Sequence, residues 1–376
     1  MEQYPLFKLW LNKLERRIID ISGREHRAHF FSLESLLILI SLVYQMVTTL
    51  RVRLYDLGIL KRHRFPCRVI SFGNIVAGGS GKTPMVMHAA SLLTSMGLGV
   101  VVITRGYGGT AGKYGAVAGD GTHCFLGPKE AGDEPCMMAC RKKYPVIVDR
   151  DRVRGARRAM TKFSPDVILL DDAFQHLCIH RDLNIVLMDA TAPLGNGKVL
   201  PAGRLRESFH AVEKRADLVM YTRCLRGELP LEGSWSRGKP IFMTQHVSFL
   251  YRFIQQAHPL STKDPSLAML TGRTAVVFSA ISDNGGFCRS VEQCGVRVLD
   301  HFCFRDHHQF DAREIKDILH RASALKASLI ITTEKDYARL GFPENWPVDL
   351  AVVGVKIEFI EGEDQFKSLL LSCVNR

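Results

Sequence analysis

A short apolar run, Arg68-Val69-Ile70-Ser71-Phe72, leads into a glycine-rich turn, Gly73-Asn74-Ile75-Val76-Ala77-Gly78-Gly79-Ser80-Gly81, closed by Lys82-Thr83-Pro84. Strand, glycine loop and helix start, in that order, are what a phosphate-binding P-loop requires. Glycines let successive backbone N–H groups turn toward an anion without Cβ clashes, and the helix start adds the positive end of its dipole. In this frame Gly78, Gly79, Ser80, Gly81 and Lys82 face the phosphates, and the Thr83 hydroxyl is a Mg²⁺ ligand. The strict pattern has glycine at position 76, where this chain has Val76, so the loop is a variant. A glycine-rich turn with an exposed lysine is the plain alternative. The surrounding pattern favours a protein that handles a nucleoside triphosphate.

Beyond the loop, short apolar runs alternate with helical segments. Runs at 100–103, 146–148, 167–170, 185–188 and 218–221 are separated by helical patterns such as 85–95 and 152–162. This rhythm predicts an α/β fold, a P-loop NTPase-like parallel sheet flanked by helices, with ligands at the carboxyl ends of the strands. From about residue 270 the rhythm returns, with runs at 275–279, 296–299, 328–332 and 350–353 and a helix over 311–325, which predicts a second, smaller α/β domain. Residues 226–269 read as a connector with Pro230, Gly233 and Pro240, and with strands in 240–254.

The N-terminal sixty residues differ. Positions 6–21 place Phe7, Trp10, Leu11, Leu14, Ile18 and Ile21 on one helical face with Lys8, Lys13, Arg16 and Arg17 around it, which suits a membrane interface. Residues 35–50 then carry no charge. A spanning helix needs about 20 apolar residues, so this stretch can span, insert partly, or be buried. We read both as membrane-associated helices. Basic residues lie on both sides (Arg24 and Arg27; Arg51, Arg53, Lys61, Arg62 and Arg64), so orientation is not set. The expected segments are therefore 1–60 (membrane-associated helices), 61–225 (P-loop core), 226–269 (connector) and 270–376 (smaller C-terminal α/β domain).

The net charge of +12 calls for an anionic partner: a lipid surface, an anionic substrate or nucleic acid. No aromatic-basic RNA signature or recognition-helix pattern is present, which places nucleic acid last, and no obligate protein partner is evident. The ten cysteines are scattered without C-x-x-C, and Cys136 and Cys140 stand alone as C-x-x-x-C. With no cleavable signal peptide evident, they read as reduced cytosolic thiols, neither a disulfide frame nor a zinc site.

Polar clusters sit where strands should end. Val167-Ile168-Leu169-Leu170 runs into Asp171-Asp172, a Walker-B-like pair placed to hold Mg²⁺, and continues as Ala173-Phe174-Gln175-His176. Thr104-Arg105-Gly106-Tyr107-Gly108-Gly109 offers an arginine to a phosphate. Gly132-Asp133-Glu134-Pro135 reads alone as a helix start. Pro201-Ala202-Gly203-Arg204-Leu205-Arg206-Glu207 is a loop with two arginines and a glutamate.

Together with Phe304-Arg305-Asp306-His307-His308 and Thr333-Glu334-Lys335-Asp336, and in this order, the motifs resemble the tetraacyldisaccharide 4′-kinases of lipid A biosynthesis. That family usually has glycine where Ala173 stands and proline where Arg204 and Arg305 stand, which puts local backbone shape in question without removing a catalytic group. The resemblance implies transfer of the ATP γ-phosphate, with Mg²⁺, to the 4′-hydroxyl of an acylated glucosamine disaccharide 1-phosphate, giving lipid IVA. It implies Asp133 as general base paired with His307, Lys82 on the phosphates, Thr83 with Asp171 or Asp172 on the metal, and Arg105, Tyr107, Gln175, His176, Glu207 and Asp306 as further site residues. It also implies the cytoplasmic face of a bacterial inner membrane, reached as a peripheral protein or through a single N-terminal anchor. Two rivals stay open: another P-loop enzyme or GTPase, although Thr333-Glu334-Lys335-Asp336 only partly resembles the guanine-specific N-K-x-D, and a membrane-bound nucleotide-binding scaffold without turnover.

Overall fold

The computed structural model describes residues 32–225, 227, 236–256, 265–343 and 346–375. The helix expected at 6–21, with Arg24 and Arg27, and the connector residues Pro230 and Gly233 lie outside the described residues. In chain order the elements are α1 (Leu33–Asp56), β1 (Arg68–Gly73), α2 (Lys82–Ser95), β2 (Val100–Thr104), β3 (Ala116–Asp120), α3 (Pro128–Ala131), α4 (Asp133–Cys140), β4 (Pro145–Val148), α5 (Arg152–Phe163), β5 (Val167–Asp171), β6 (Leu183–Asp189), α6 (His210–Arg215), β7 (Leu218–Thr222) and β8 (Ile241–Ile254). They continue as β9 (Thr274–Ser279), α7 (Asn284–Gln293), β10 (Arg297–Cys303), α8 (Ala312–Ala324), β11 (Leu329–Thr333), α9 (Glu334–Arg339), β12 (Leu350–Glu361) and α10 (Glu363–Asn375).

The chain divides into two compact units, each built from separate stretches: 1–82, 169–245 and 359–376 form one, and 83–168 with 246–358 form the other. In the first, the strands follow the order β8-β7-β6-β1-β5, and the β1/β6, β6/β7 and β7/β8 pairs are parallel. Its strands are apolar on both faces, as parallel strands covered by helices must be. Ile75, Phe174, Val186, Val219 and Tyr221 form its core. Helix α1 belongs to this unit. It starts at the Ser32 cap and runs 24 residues, longer than the uncharged stretch alone, because Arg51 and Arg53 continue the helix.

The second unit holds two strand groups. In one, β10, β9, β11 and β12 pair in parallel, and the pairing of β11 with both neighbours centres the group on fully buried Ile330 and Ile331. In the other, β2 and β4 are parallel while β3 runs antiparallel to β4. The strand β3, Ala-Val-Ala-Gly-Asp, was not expected from the sequence. Its small residues give little hydrophobic signal, and its bulged pairing with β4 supplies what its side chains do not. The α/β fold and the strand positions otherwise follow the expected rhythm.

Candidate active site

In the first unit, Gly73 ends β1 against the strand-to-loop corner after β5. A Cβ at Gly73 would lie 2.6 Å from the Phe174 Cβ and 2.7 Å from its backbone nitrogen, so only glycine lets the two segments touch. Asn74 then ties the loop: its Nδ2 donates to Val76 O at 2.6 Å and to Ser80 Oγ at 2.8 Å. Gln175 Nε2 donates to Asn74 O at 2.8 Å, and Thr222 Oγ1 to Ser80 O at 3.1 Å. The arginine-rich loop at 201–207 laces along the same segment. Ala77 N donates to Arg204 O at 2.7 Å, and Arg206 N to Ile75 O at 2.6 Å. Gly78 has φ +128°, and a Cβ there would meet the Arg204 guanidinium at 2.5 Å. Arg204, one of the departures from the resembled family, thus lays a cation on the glycine-rich loop.

Two acids stand at the end of β5. Asp171 is buried. Asp172, at φ +47°, lies 3.6 Å from Lys82 Nζ and 2.9 Å from an Arg206 nitrogen. Glu207 is buried and ion-paired with Arg215, whose guanidinium lies 4.4 Å from the centre of the Phe174 ring, so it braces the Ala173–Gln175 corner from behind. His176 turns back on Ala173 O through its backbone N–H.

In the second unit the helix α4 opens with two acids, which complement its positive end. Its entry residue, Gly132, has φ +91°, and a Cβ there would meet Tyr107 O at 2.4 Å. The Arg105–Gly109 loop therefore packs on the start of α4. It leaves Arg105 exposed and sets the Tyr107 ring 5.3 Å from that of His307. His307 Nδ1 donates to Asp133 Oδ2 at 3.0 Å, and Arg339 Nε donates to the same oxygen at 2.7 Å. Arg339 is fully buried at its side chain; it also reaches Asp336 at 2.6 Å and donates to Ala280 O. Asp306 lies 3.2 Å from Lys335 Nζ and 3.8 Å from His307 Nε2. Thr83 Oγ1 donates to Glu134 Oε2 at 2.7 Å, and Lys335 lies 3.5 Å from the other Glu134 oxygen.

The electrostatics follow. Burial alone would push Asp133 up, but the hydrogen bond from His307 and the Arg339 guanidinium outweigh it and hold the carboxyl below the usual carboxylate range. Asp336 goes the other way: burial raises it, and Arg339, Thr333 and the Ala280 N–H only partly offset that. His307, like Asp172, adopts a left-handed backbone, at φ +63°. Such strain, of order 1–3 kcal/mol per residue, concentrates where geometry serves a function.

Sequence reasoning alone named neither Arg339 nor Glu134 as a site residue. Arg339 belongs to the helix that opens with Thr333-Glu334-Lys335-Asp336, and that motif was the available signal; nothing marks the arginine itself.

A strand–glycine loop–helix with its lysine against a strand-end aspartate, on a parallel α/β sheet, defines a P-loop nucleotide-binding protein. The finer assignment comes from relatives. The model of the tetraacyldisaccharide-1-P 4′-kinase family matches residues 33–375, and the chain belongs to that family. A tetraacyldisaccharide 4′-kinase from Desulfatibacillum aliphaticivorans is 40% identical over 370 residues, 96% of this chain and 98% of the relative. One from Geobacter metallireducens is 40% identical over 309 residues, 82% of this chain and 88% of the relative. The crystal structure of the "apo" form of LpxK from Aquifex aeolicus in complex with ATP matches with a TM-score of 0.73 at 30% identity, covering 91% of this chain and all of that one.

Proposed function

We propose that this protein transfers the γ-phosphate of ATP to the 4′-hydroxyl of tetraacyldisaccharide 1-phosphate, forming lipid IVA. The observation that carries the mechanism is the buried Asp133 carboxylate, held ionised by His307 and Arg339. Both partners bond Oδ2, which gives Oδ1 the part of proton acceptor. As the 4′-oxygen forms its bond to the γ-phosphorus, its proton passes to Asp133, the β–γ bridging bond breaks and ADP leaves. Gly78, Gly79, Ser80, Gly81 and Lys82 bind the phosphates through backbone N–H groups and the ammonium. Asp172, already shared between Lys82 and Arg206, orients the lysine.

Magnesium fits the available donors. Asp171 and Asp172, at the end of β5, offer hard oxygens only; so does the Thr83 hydroxyl within its own unit, which Glu134 orients. When bound, the ion neutralises charge on the β- and γ-phosphate oxygens. Tyr107 stands beside His307, and Arg105 is exposed on the same loop; both are substrate-contacting residues in this reading, with Asp306 setting the outer side of the imidazole. Gln175, His176 and Glu207 act by holding the phosphate loop and the β5 corner in place.

The protein works at the cytoplasmic face of the inner membrane. Helix α1 leaves Leu36, Leu39, Ile40, Leu42, Val43, Met46, Val47 and Leu50 exposed. Its other side is fastened to the protein: Ser41 Oγ donates to Val199 O at 2.7 Å and accepts from Ala202 N at 3.0 Å, and Arg51 donates to Gln175 O. A helix so held along ten residues favours a peripheral seat, its outer face in the lipid, over a complete span. A cavity of about 310 Å³ lined by Ile38, Leu42, Val199, Leu205 and Phe209 offers apolar surface to an acyl chain beside that face.

The test is transfer of radiolabelled γ-phosphate from ATP to detergent-dispersed tetraacyldisaccharide 1-phosphate, with Mg²⁺ and with a chelator. A labelled 4′-phosphate product that requires the metal supports the reading. ATP binding without transfer returns the scaffold or another P-loop enzyme.

A further inference from the structure

Three thiols that are unremarkable in the sequence meet in the second unit. Cys124, Cys136 and Cys140 place their sulfurs all within 4.8 Å of one another. Two separate elements supply them. Cys136 and Cys140, four apart, share one face of α4. Cys124 sits just past the tight turn after β3, bridged to Gly119. That turn is firmly built: Asp120 Oδ1 accepts from Thr122 N at 2.8 Å, Thr122 Oγ1 at 2.7 Å and His123 N at 2.6 Å. The turn also lies close on the helix, since a Cβ at Gly119 would come within 3.0 Å of the Ala139 Cβ. The thiols are therefore placed by backbone packing rather than by their own flexibility. None of the three is in a disulfide.

We propose that Cys124, Cys136 and Cys140 form a three-thiolate site for a soft d¹⁰ metal ion, Zn(II), with a water as the fourth ligand. Tetrahedral Zn–S bonds of about 2.3 Å need sulfurs about 3.8 Å apart, a contraction of at most about 1 Å from the present arrangement. Thiolates select such ions over the hard cations used in phosphoryl transfer. Three thiolates balance a divalent charge better than a monovalent one. Cys136 is buried while Cys124 and Cys140 are partly open, which leaves one side for water. Binding releases the three thiol protons to solvent and changes no oxidation state. The ion would clamp the turn after β3 to the C-terminal end of α4. A lone buried cysteine is ordinary packing; three converging from two elements are not explained by it.

The experiment uses the untagged full chain in detergent, reduced and stripped with a chelator, titrated with Co(II) as the spectroscopic probe and then with Zn(II). The expected result is one Co(II) per chain with intense near-ultraviolet thiolate-to-metal bands, displaced by Zn(II). Cys124→Ser and Cys140→Ser, both at partly open positions, should each weaken binding at least about tenfold, while Cys178→Ser leaves it unchanged. In the unaltered chain Zn(II) should slow N-ethylmaleimide labelling of Cys124 and Cys140, a readout that needs no variant. Absence of the bands, bands that persist in both serine variants, or labelling unaffected by Zn(II) would overturn the site. So would a Cys124–Cys136 disulfide in protein purified without air.

Discussion

Asp133 shows how a single side chain is set by its neighbours. Burial opposes its charge, and one histidine and one arginine more than restore it. Asp133→Asn keeps the shape and removes the carboxylate proposed as proton acceptor. Transfer should fall about 10²- to 10⁴-fold while ATP binding, measured by isothermal titration, stays near that of the unaltered chain. The same residue carries a pH signature. Its folded pKa lies below the unfolded value of about 3.9, so its contribution to stability is complete above that pH and is lost as pH falls through the lower, folded value. The part of the difference in urea midpoint between the unaltered chain and Asp133→Asn that comes from this carboxyl should therefore shrink as pH falls below about 4. A difference that grew on acidification would mean that the carboxyl is raised instead.

At the scale of elements, the glycine-rich loop depends on contacts with segments far along the chain. Gly73→Ala drives a methyl into the Phe174 backbone. Overpacking of this kind costs about 1–3 kcal/mol, and the displaced β1 end should also weaken ATP binding; thermal unfolding and nucleotide titration read the two effects separately. Helix α1 makes a different prediction. Leu39 and Val43 are exposed, so replacing both with Gln should leave thermal stability and ATP binding unchanged but reduce flotation with anionic vesicles several-fold. Unchanged flotation would remove α1 as the lipid-facing element.

At the scale of the whole molecule, the second unit is stitched from two stretches by buried charge. Arg141, at the end of α4, donates Nε and a terminal nitrogen to the two oxygens of Glu334 at 2.9 and 2.7 Å, beneath the rings of Phe249 and Tyr251. Arg339 reaches Asp133 across 206 positions of sequence. Arg141→Leu strands a buried carboxylate and should destabilise this unit by about 3–5 kcal/mol in urea unfolding, little relieved by salt. The contiguous segments drawn from the sequence follow the chain, whereas the compact units follow contacts, and β8 and β12 carry the chain from one unit to the other. By itself the sequence determined the glycine-rich turn between strand and helix, the acids at strand ends, the α/β rhythm and the uncharged run within α1. Each is a local pattern in which spacing alone fixes which groups stand together. The pairing of Asp133 with His307, 174 positions away, was legible only through the family resemblance. The burial of Arg339 and the meeting of Cys124 with Cys136 and Cys140 left no such trace. In sequence, a buried arginine is indistinguishable from a solvated one and a distant thiol from any other. Only the packing of α4 against α9 and the β3 turn decides which charge loses its water and which sulfurs converge.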